Sequence, residues 1–187
     1  MIMMKSTQIS DIFNSKGKVE IKGWVHEIRD LSKIRFLVVR DISGKIQVTG
    51  IDGETSKNVF ESMKRITRES AVIIEGELKD SAKAPGGKEI IPSKIEVVGE
   101  ADSNLPIDVS DFSKTELPKR LDYRFLDLHR TKIQAIFKIQ SEIANSFRGY
   151  FYNKGYIEMQ PPCIISSASE GGTELFPVQY FEKKAYL

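Results

Sequence analysis

The hydrophobic repeat of this chain changes near residue 130 from two residues to between three and four, and one layer of secondary structure cannot satisfy both repeats. Before that point apolar, largely β-branched residues come in short runs: Val19 to Ile28, Ile34 to Val39, Lys45 to Thr49, Val72 to Leu78 and Glu89 to Val98. Runs of this length divided by turn residues predict strands. Ser43 and Gly44 predict a tight hairpin between the second and third, with the glycine at positive φ. Between the third and fourth, Val59, Met63 and Ile66 recur at helical spacing, so one helix is expected over Thr55 to Ile66, capped by Thr55 or Ser56.

Five strands with a helix between the third and fourth match the partly open Greek-key barrel called the OB-fold, so residues 1–104 are expected to form an all-β OB domain. Residues 105–130, with their prolines and alternating charges, read as a connector. From Thr131 onward Ile133, Ile136, Phe137, Ile139, Ile143, Ala144, Phe147 and Phe151 predict a long amphipathic helix that ends near Asn153 to Gly155, with Gly155 as its left-handed cap. Tyr156 to Met159 reads as a short strand stopped by Pro161 and Pro162. A helix of such apolar breadth needs more partner surface than residues 131–187 supply, so a truncated second domain or an obligate interface is expected.

Composition narrows the function classes. With 40% hydrophobic and 29% charged residues the chain is ordinary globular material, and 28 basic against 26 acidic residues do not announce a nucleic-acid binder. Any polyanion must be met by local clusters. Cys163 is the single cysteine, which excludes an intrachain disulfide, and with only His26 and His129 as imidazoles no structural metal site is expected. No apolar run approaches the ~20 residues of a membrane span, and MIMMKSTQIS carries no signal-peptide core, so a cytosolic protein is expected. There is no phosphate-binding P-loop, GxGxxG, GxSxG or HExxH.

The second and third strands hold the first candidates. Phe36, flanked by Arg35 and near Arg29 and Arg40, is either core or a platform that stacks an unpaired base while guanidinium groups meet phosphate. Alternation places Ile46 and Val48 on one face of the third strand and Lys45, Gln47 and Thr49 on the other, which is expected to be available to a ligand. Gln47 is then a base reader or a solvated strand residue. Gly23 is a candidate bulge, so parity does not place His26. The loop SAKAPGGKE is a contact loop or a plain turn, and SEGGTE is a closing loop with carboxylates beside a glycine hinge or a generic turn.

Taken together, GWVHEIRDLSKIRFLVVRD at 23–41, IQVTG at 46–50, LPKRLDYRFLDLHR at 117–130, FYNKGYIEMQPP at 151–162 and SEGGTELFPVQYFEKKAYL at 169–187 resemble the N-terminal part of the archaeal/eukaryotic-type aspartyl-tRNA synthetases, which are class IIb aminoacyl-tRNA synthetases. The resemblance covers essentially the whole chain. It implies an OB-fold anticodon-binding domain, a hinge that touches tRNA, and the truncated start of an α+β catalytic domain at 131–187 whose long helix and strand (motif 1, with Pro162) form a homodimer interface. By the same resemblance Phe36 stacks on an anticodon base, Gln47 reads the central uridine, Arg29 contacts the anticodon loop, and Glu170 lies in a flipping loop that closes on bound aspartate. His26 after GWV and Pro85 in the loop between the fourth and fifth strands resemble the non-discriminating enzymes, which charge aspartate onto both tRNA-Asp and tRNA-Asn for a later amidotransferase.

The resemblance also implies ATP and Mg2+ for the full-length enzyme, but the arginines and acidic residues of motifs 2 and 3 are not in this sequence, so the chain alone is expected to be inactive and to bind no metal. Pro161 and Cys163 depart from the threonine and lysine usual around the motif 1 proline. Two other readings fit the same residues: a stand-alone tRNA-binding OB-fold protein without catalysis, and an asparaginyl-tRNA synthetase.

Overall fold

A computed structural model describes residues 8–166 and 175–187, which divide after Pro106 into two compact units. In the first, β1 (Gly17–Leu31), β2 (Ile34–Arg40), β3 (Lys45–Ile51), β4 (Ala71–Asp80) and β5 (Lys88–Gly99) close into a barrel of order β1-β2-β3-β5-β4. Closure depends on the length of β1. Its first half, Gly17 to Trp24, pairs antiparallel with β4, and its second half, from Trp24 on, pairs with β2. A short parallel contact, Gln47 to Glu89 and Val48 to Ile90, seals β3 against β5.

The period-two pattern fills this barrel as expected. Ile21, Val25, Leu37, Val39, Ile46, Val48, Val72, Ile74 and Ile90 form the buried core, and Arg29, Phe36 and Gln47 fall on the opposite parity. Helix α2 (Lys57–Arg65) packs Val59, Phe60 and Met63 inward. A Cβ on Gly50 of β3 would sit 2.4 Å from the Met63 sulfur, so glycine there is what lets the helix approach the barrel. Neither expected cap is made by a side chain at the helix start; Thr55 Oγ1 instead accepts the Ile51 N–H at 2.9 Å.

Two local expectations are corrected. The β2–β3 hairpin does not use a left-handed Gly44: the Asp41 carboxylate accepts from the N–H groups of Ser43 (2.7 Å) and Gly44 (2.9 Å) and closes the turn itself. Gly23 is not the bulge. The ladder slips between Val25 and Glu27, leaving His26 as the extra residue, while Gly23 is required because a Cβ there would lie 2.3 Å from the Arg40 carbonyl oxygen. A one-turn helix α1 (Ile9–Ile12) also joins the core through Ile9 and Ile12, and its Ile9 N–H donates to Asp41 Oδ2 at 2.9 Å. Burial alone would raise the Asp41 pKa, but these hydrogen bonds from Ser43, Ile9 and Gly44 hold it below the ordinary 3.8.

In the second unit, α3 (Leu117–Asp122) and α4 (Arg124–Asp127) precede the long α5 (Thr131–Asn153). The Asp127 carboxylate is fully buried and accepts from Arg120 (2.8 and 3.1 Å), Arg124 (2.7 Å) and Arg130 (3.3 Å). Helix α5 ends as its sequence predicts: Gly155 has φ +84°, its N–H reaches Tyr152 O, and the Tyr156 N–H reaches Phe151 O. The rings of Phe151 and Tyr156 pack edge-on over this cap at 5.3 Å. Residues Tyr156 to Met159 form no strand, in contrast to the expectation, because no ladder partner lies beside them among the described residues. The later segment pairs as β6 (Pro177–Tyr180) with β7 (Lys183–Tyr186), and Ile165 bridges Tyr186. Among the described residues no helix is long and apolar enough to cross a membrane.

Candidate nucleic-acid interface

The outward parity of β1, β2 and β3 builds one continuous face. Register places Arg29 opposite Phe36 and Phe36 opposite Thr49, and in the next row Glu27 opposite Val38, Val38 opposite Gln47, and Gln47 beside Glu89 of β5. The bulge at His26 sets this order, since in an unbulged strand Val25 and Glu27 would share a face. Leu37 takes the core position and Phe36, partly exposed, takes the outer one. Phe36 therefore offers a ring to the surface with a guanidinium across the ladder.

That guanidinium is engaged. Arg29 grips Glu27 through Nε at 2.8 Å and Nη2 at 3.2 Å, and the Arg29 hydrogen bond holds the Glu27 carboxyl below its usual value. Both side chains are about half exposed, at 54% and 47%, so this is a surface pair worth only ~0–1 kcal/mol and readily exchanged for a phosphate. The face at Gln47 is not open as expected. Gln47 and Thr49 are 7% and 5% exposed, because Glu89 lies against them and accepts from Gln47 Nε2 at 2.9 Å and from the Thr49 hydroxyl. Gln47 Nε2 also donates to Thr49 Oγ1 at 3.2 Å. With its amino hydrogens so engaged, the carboxamide has its carbonyl oxygen left to meet a base, and such an acceptor suits the N3–H of uracil.

One row further along, Trp24 faces Arg40 and Arg40 faces Lys45. Arg40 lies 5.8 Å from the Trp24 ring centre and forms a buried ion pair with Glu69. The partly buried His26 meets Lys45 Nζ through Nε2 at 2.9 Å. Pro85 is exposed in the turn Pro85–Gly87 between β4 and β5, where Gly86 at φ +80° lies so close to Phe13 that a Cβ would be 2.6 Å from the ring. Arg29, Phe36, Gln47 and His26 thus share one face of the barrel. Pro162 is exposed in the second unit, and Glu170 lies outside the described residues.

Glu89, Thr49 and Lys45 also belong to this face, although the sequence marks none of them as a reader. Lys45 and Thr49 have the parity signal; Glu89 has none, because its place depends on a parallel strand pair that no local pattern encodes. On the second unit, α5 buries Ile133 and leaves Ile143 and Phe147 each 65% exposed. No cluster of three or more His, Cys, Asp or Glu side chains fit to hold a metal occurs among the described residues.

Residues 19–98 match the family described as OB-fold nucleic acid binding domain, and residues 116–187 match tRNA synthetases class II (D, K and N). The chain is 49% identical over 170 residues to an aspartate–tRNA(Asp/Asn) ligase of Archaeoglobus fulgidus, covering 91% of this chain and 40% of that protein. It is 42% identical over 182 residues to an aspartate–tRNA(Asp) ligase of Pyrococcus horikoshii, covering 97% and 41%. Among solved structures it resembles asparaginyl-tRNA synthetase from Pyrococcus horikoshii complexed with asparaginyl-adenylate, with TM-score 0.87, 32% identity and coverage of 99% of this chain and 43% of that one. A putative aspartyl-tRNA synthetase from Leishmania major matches with TM-score 0.86 and 26% identity over 100% and 39% of the two chains. The chain spans about two fifths of the length of the curated relatives it matches.

Proposed function

We propose that this chain, whose residues 116–187 match the class II tRNA synthetases of the D, K and N group, is the anticodon-reading part of an aspartate–tRNA ligase that serves both tRNA-Asp and tRNA-Asn. The observation that carries this reading is the outer barrel face, where the Phe36 ring stands between Arg29 and Thr49 beside the Gln47–Glu89 pair. Phe36 stacks an unpaired anticodon base, Arg29 leaves Glu27 for the backbone or a base, and Gln47 accepts from the central uridine. Glu89 orients Gln47 for that task. His26 and Pro85 face the third anticodon base and tolerate both C and U there.

The whole protein joins aspartate to tRNA in the cytoplasm with ATP and Mg2+, which supply the activation of the amino acid. The described residues do not converge on a magnesium site, and no step of that reaction is assigned to them. Glu170 closes over aspartate, residues 105–130 act as the hinge after a barrel domain of residues 1–104, and the exposed stripe of α5 with Pro162 forms the homodimer interface. An amidotransferase then converts aspartyl-tRNA-Asn. The likeness to asparaginyl-tRNA synthetase structures favours a second reading, activation of asparagine, for the same anticodon face.

The test is binding of this chain to tRNA-Asp, tRNA-Asn and an unrelated tRNA at one fixed salt concentration, with Phe36→Ala alongside. Equal binding of both cognate tRNAs, lost in the variant and absent with the control, is the expected result. A strong preference for tRNA-Asp overturns the relaxed reading of His26 and Pro85. Equal affinity for all three tRNAs overturns anticodon reading altogether.

A further inference from the structure

His26 stands in the β1 bulge, where it has no partner in the β2 ladder, and its Nε2 lies 2.9 Å from Lys45 Nζ. An ammonium carries donors only, so Nε2 is the acceptor and the ring proton is on Nδ1. Nδ1 is buried with no hydrogen-bond partner among the described residues, which leaves Lys45 as the group that fixes the ring's orientation. Burial first, then the charges of Lys45, Arg40 and Arg68, against the opposing charge of Glu69, hold the imidazole below its ordinary 6.5. The ring is therefore neutral where it meets the ammonium.

We propose that Lys45 is a specificity-determining residue: by occupying the acceptor nitrogen of His26, whose Nδ1 is buried, it leaves the pair only the remaining N–H donors of its own ammonium to offer a pyrimidine base. This rests on the reading that His26 faces the third anticodon base. Cytosine and uracil share the O2 acceptor and differ at positions 3 and 4, where cytosine offers an N3 acceptor and an N4 amino donor and uracil an N3–H donor and an O4 acceptor. An edge of donors meets O2 in both, with N3 of cytosine or O4 of uracil as the second acceptor. Telling the bases apart requires an acceptor for the N4 amino group or for N3–H, and the one acceptor nitrogen of the ring is occupied by Lys45. Tolerance thus follows from hydrogen-bond polarity and needs no loss of contact.

The experiment compares binding of the whole chain to anticodon stem-loops that differ only by C or U at the third anticodon base, for the wild type, Lys45→Met, Lys45→Arg and His26→Ala, with the His26 imidazole nitrogens followed by 15N NMR. The wild type is expected to bind both loops within about 2-fold and to show the Nδ1–H tautomer. Lys45→Met is expected to shift the His26 nitrogen signals and change the C-to-U ratio by roughly 5-fold or more, and Lys45→Arg, which keeps a donor, to restore both. Unchanged nitrogen signals or an unchanged ratio in Lys45→Met, with His26→Ala still altering the ratio, overturns the role of Lys45 and leaves the reading of His26 standing. An unchanged ratio in His26→Ala overturns that reading itself. A wild-type preference beyond about 5-fold, or failure of Lys45→Arg to restore the ratio, also overturns the proposal.

Discussion

Gln47 of β3 donates to the Glu89 carboxylate of β5 at 2.9 Å, across the parallel contact that seals the barrel. The same hydrogen bond that orients the proposed base reader therefore ties two strands that are distant in sequence. Removing the acceptor frees the carboxamide to turn and leaves its buried amino group only the longer hydrogen bond to Thr49 Oγ1, at a cost of ~1–3 kcal/mol. Glu89→Ala is expected to lose most of its discrimination against an anticodon loop whose central U is replaced by C, a loss of roughly 5- to 100-fold in the ratio of dissociation constants. Unchanged discrimination in Glu89→Ala would mean that Gln47 needs no orientation from β5.

Phe36 and Leu37 are neighbours with opposite duties, one outward and partly exposed, the other fully buried. Phe36→Ala is expected to weaken tRNA binding by ~1–3 kcal/mol, the worth of one stacked base, with little change in the urea midpoint. Leu37→Ala is expected to lower stability by ~2–5 kcal/mol through the cavity it leaves. Binding isotherms and urea unfolding curves on both variants separate the two. The reverse pattern would put Phe36 in the core.

What the sequence carries of this fold is whatever repeats locally. Strand parity puts Ile46 and Val48 inside and Gln47 and Thr49 outside, and helical spacing with Gly155 puts the end of α5 at the right residue. Non-local closure leaves no such mark. The Glu89 carboxylate reaches Gln47 from a strand that starts more than 40 residues later, so the sequence offers no reason to cover the face at Gln47. The one-turn α1 is too short for any periodicity, and its burial of Ile9 and Ile12 depends on the Asp41 turn far along the chain. Tyr156 to Met159 alternates as a strand would, yet a strand exists only where a partner edge does.

Gly23 is the position where the backbone of β1 comes closest to that of β2. A methyl group there would lie 2.3 Å from the Arg40 carbonyl oxygen, a backbone atom that cannot swing aside. Gly23→Ala is expected to destabilise the barrel by ~1–3 kcal/mol or more. Gly149 lies inside α5, and a Cβ added to it would have no atom within 4 Å, so Gly149→Ala is expected to stabilise by ~0.5–1 kcal/mol. Urea unfolding curves for both variants give the comparison, and similar effects of the two substitutions would contradict the close approach at Gly23.

Ile143 and Phe147, each 65% exposed, lie one turn apart on α5 and form part of an apolar stripe wide enough to demand a cover. Under the proposed homodimer, Ile143→Asp is expected to raise the dissociation constant of self-association at least ~10-fold, since a carboxylate in an apolar interface is left without a partner. Analytical ultracentrifugation of wild type and variant over a concentration series measures this. A wild type that stays monomeric at all concentrations, or a variant that associates as before, would remove α5 from the interface.

Asp127 gathers Arg120, Arg124 and Arg130 around one buried carboxylate, and its burial, which alone would raise its pKa, is outweighed by the Arg120 and Arg130 hydrogen bonds and charges, so the pKa falls below 3.8. A depressed folded pKa means that between that value and about 3.8 the unfolded chain holds the extra proton, so this contribution to stability is complete at higher pH and is lost as pH falls through that window. Asp127→Asn removes the titration and leaves guanidinium groups, of which Arg130 is 8% exposed, without their counter-charge. Breaking a buried pair in this way costs ~3–5 kcal/mol. Urea unfolding of the wild type and Asp127→Asn from about pH 7 to about pH 3 is expected to show a variant that is weaker at neutral pH and a gap between the two that narrows on acidification. Parallel curves would show that Asp127 keeps an ordinary pKa in the folded chain.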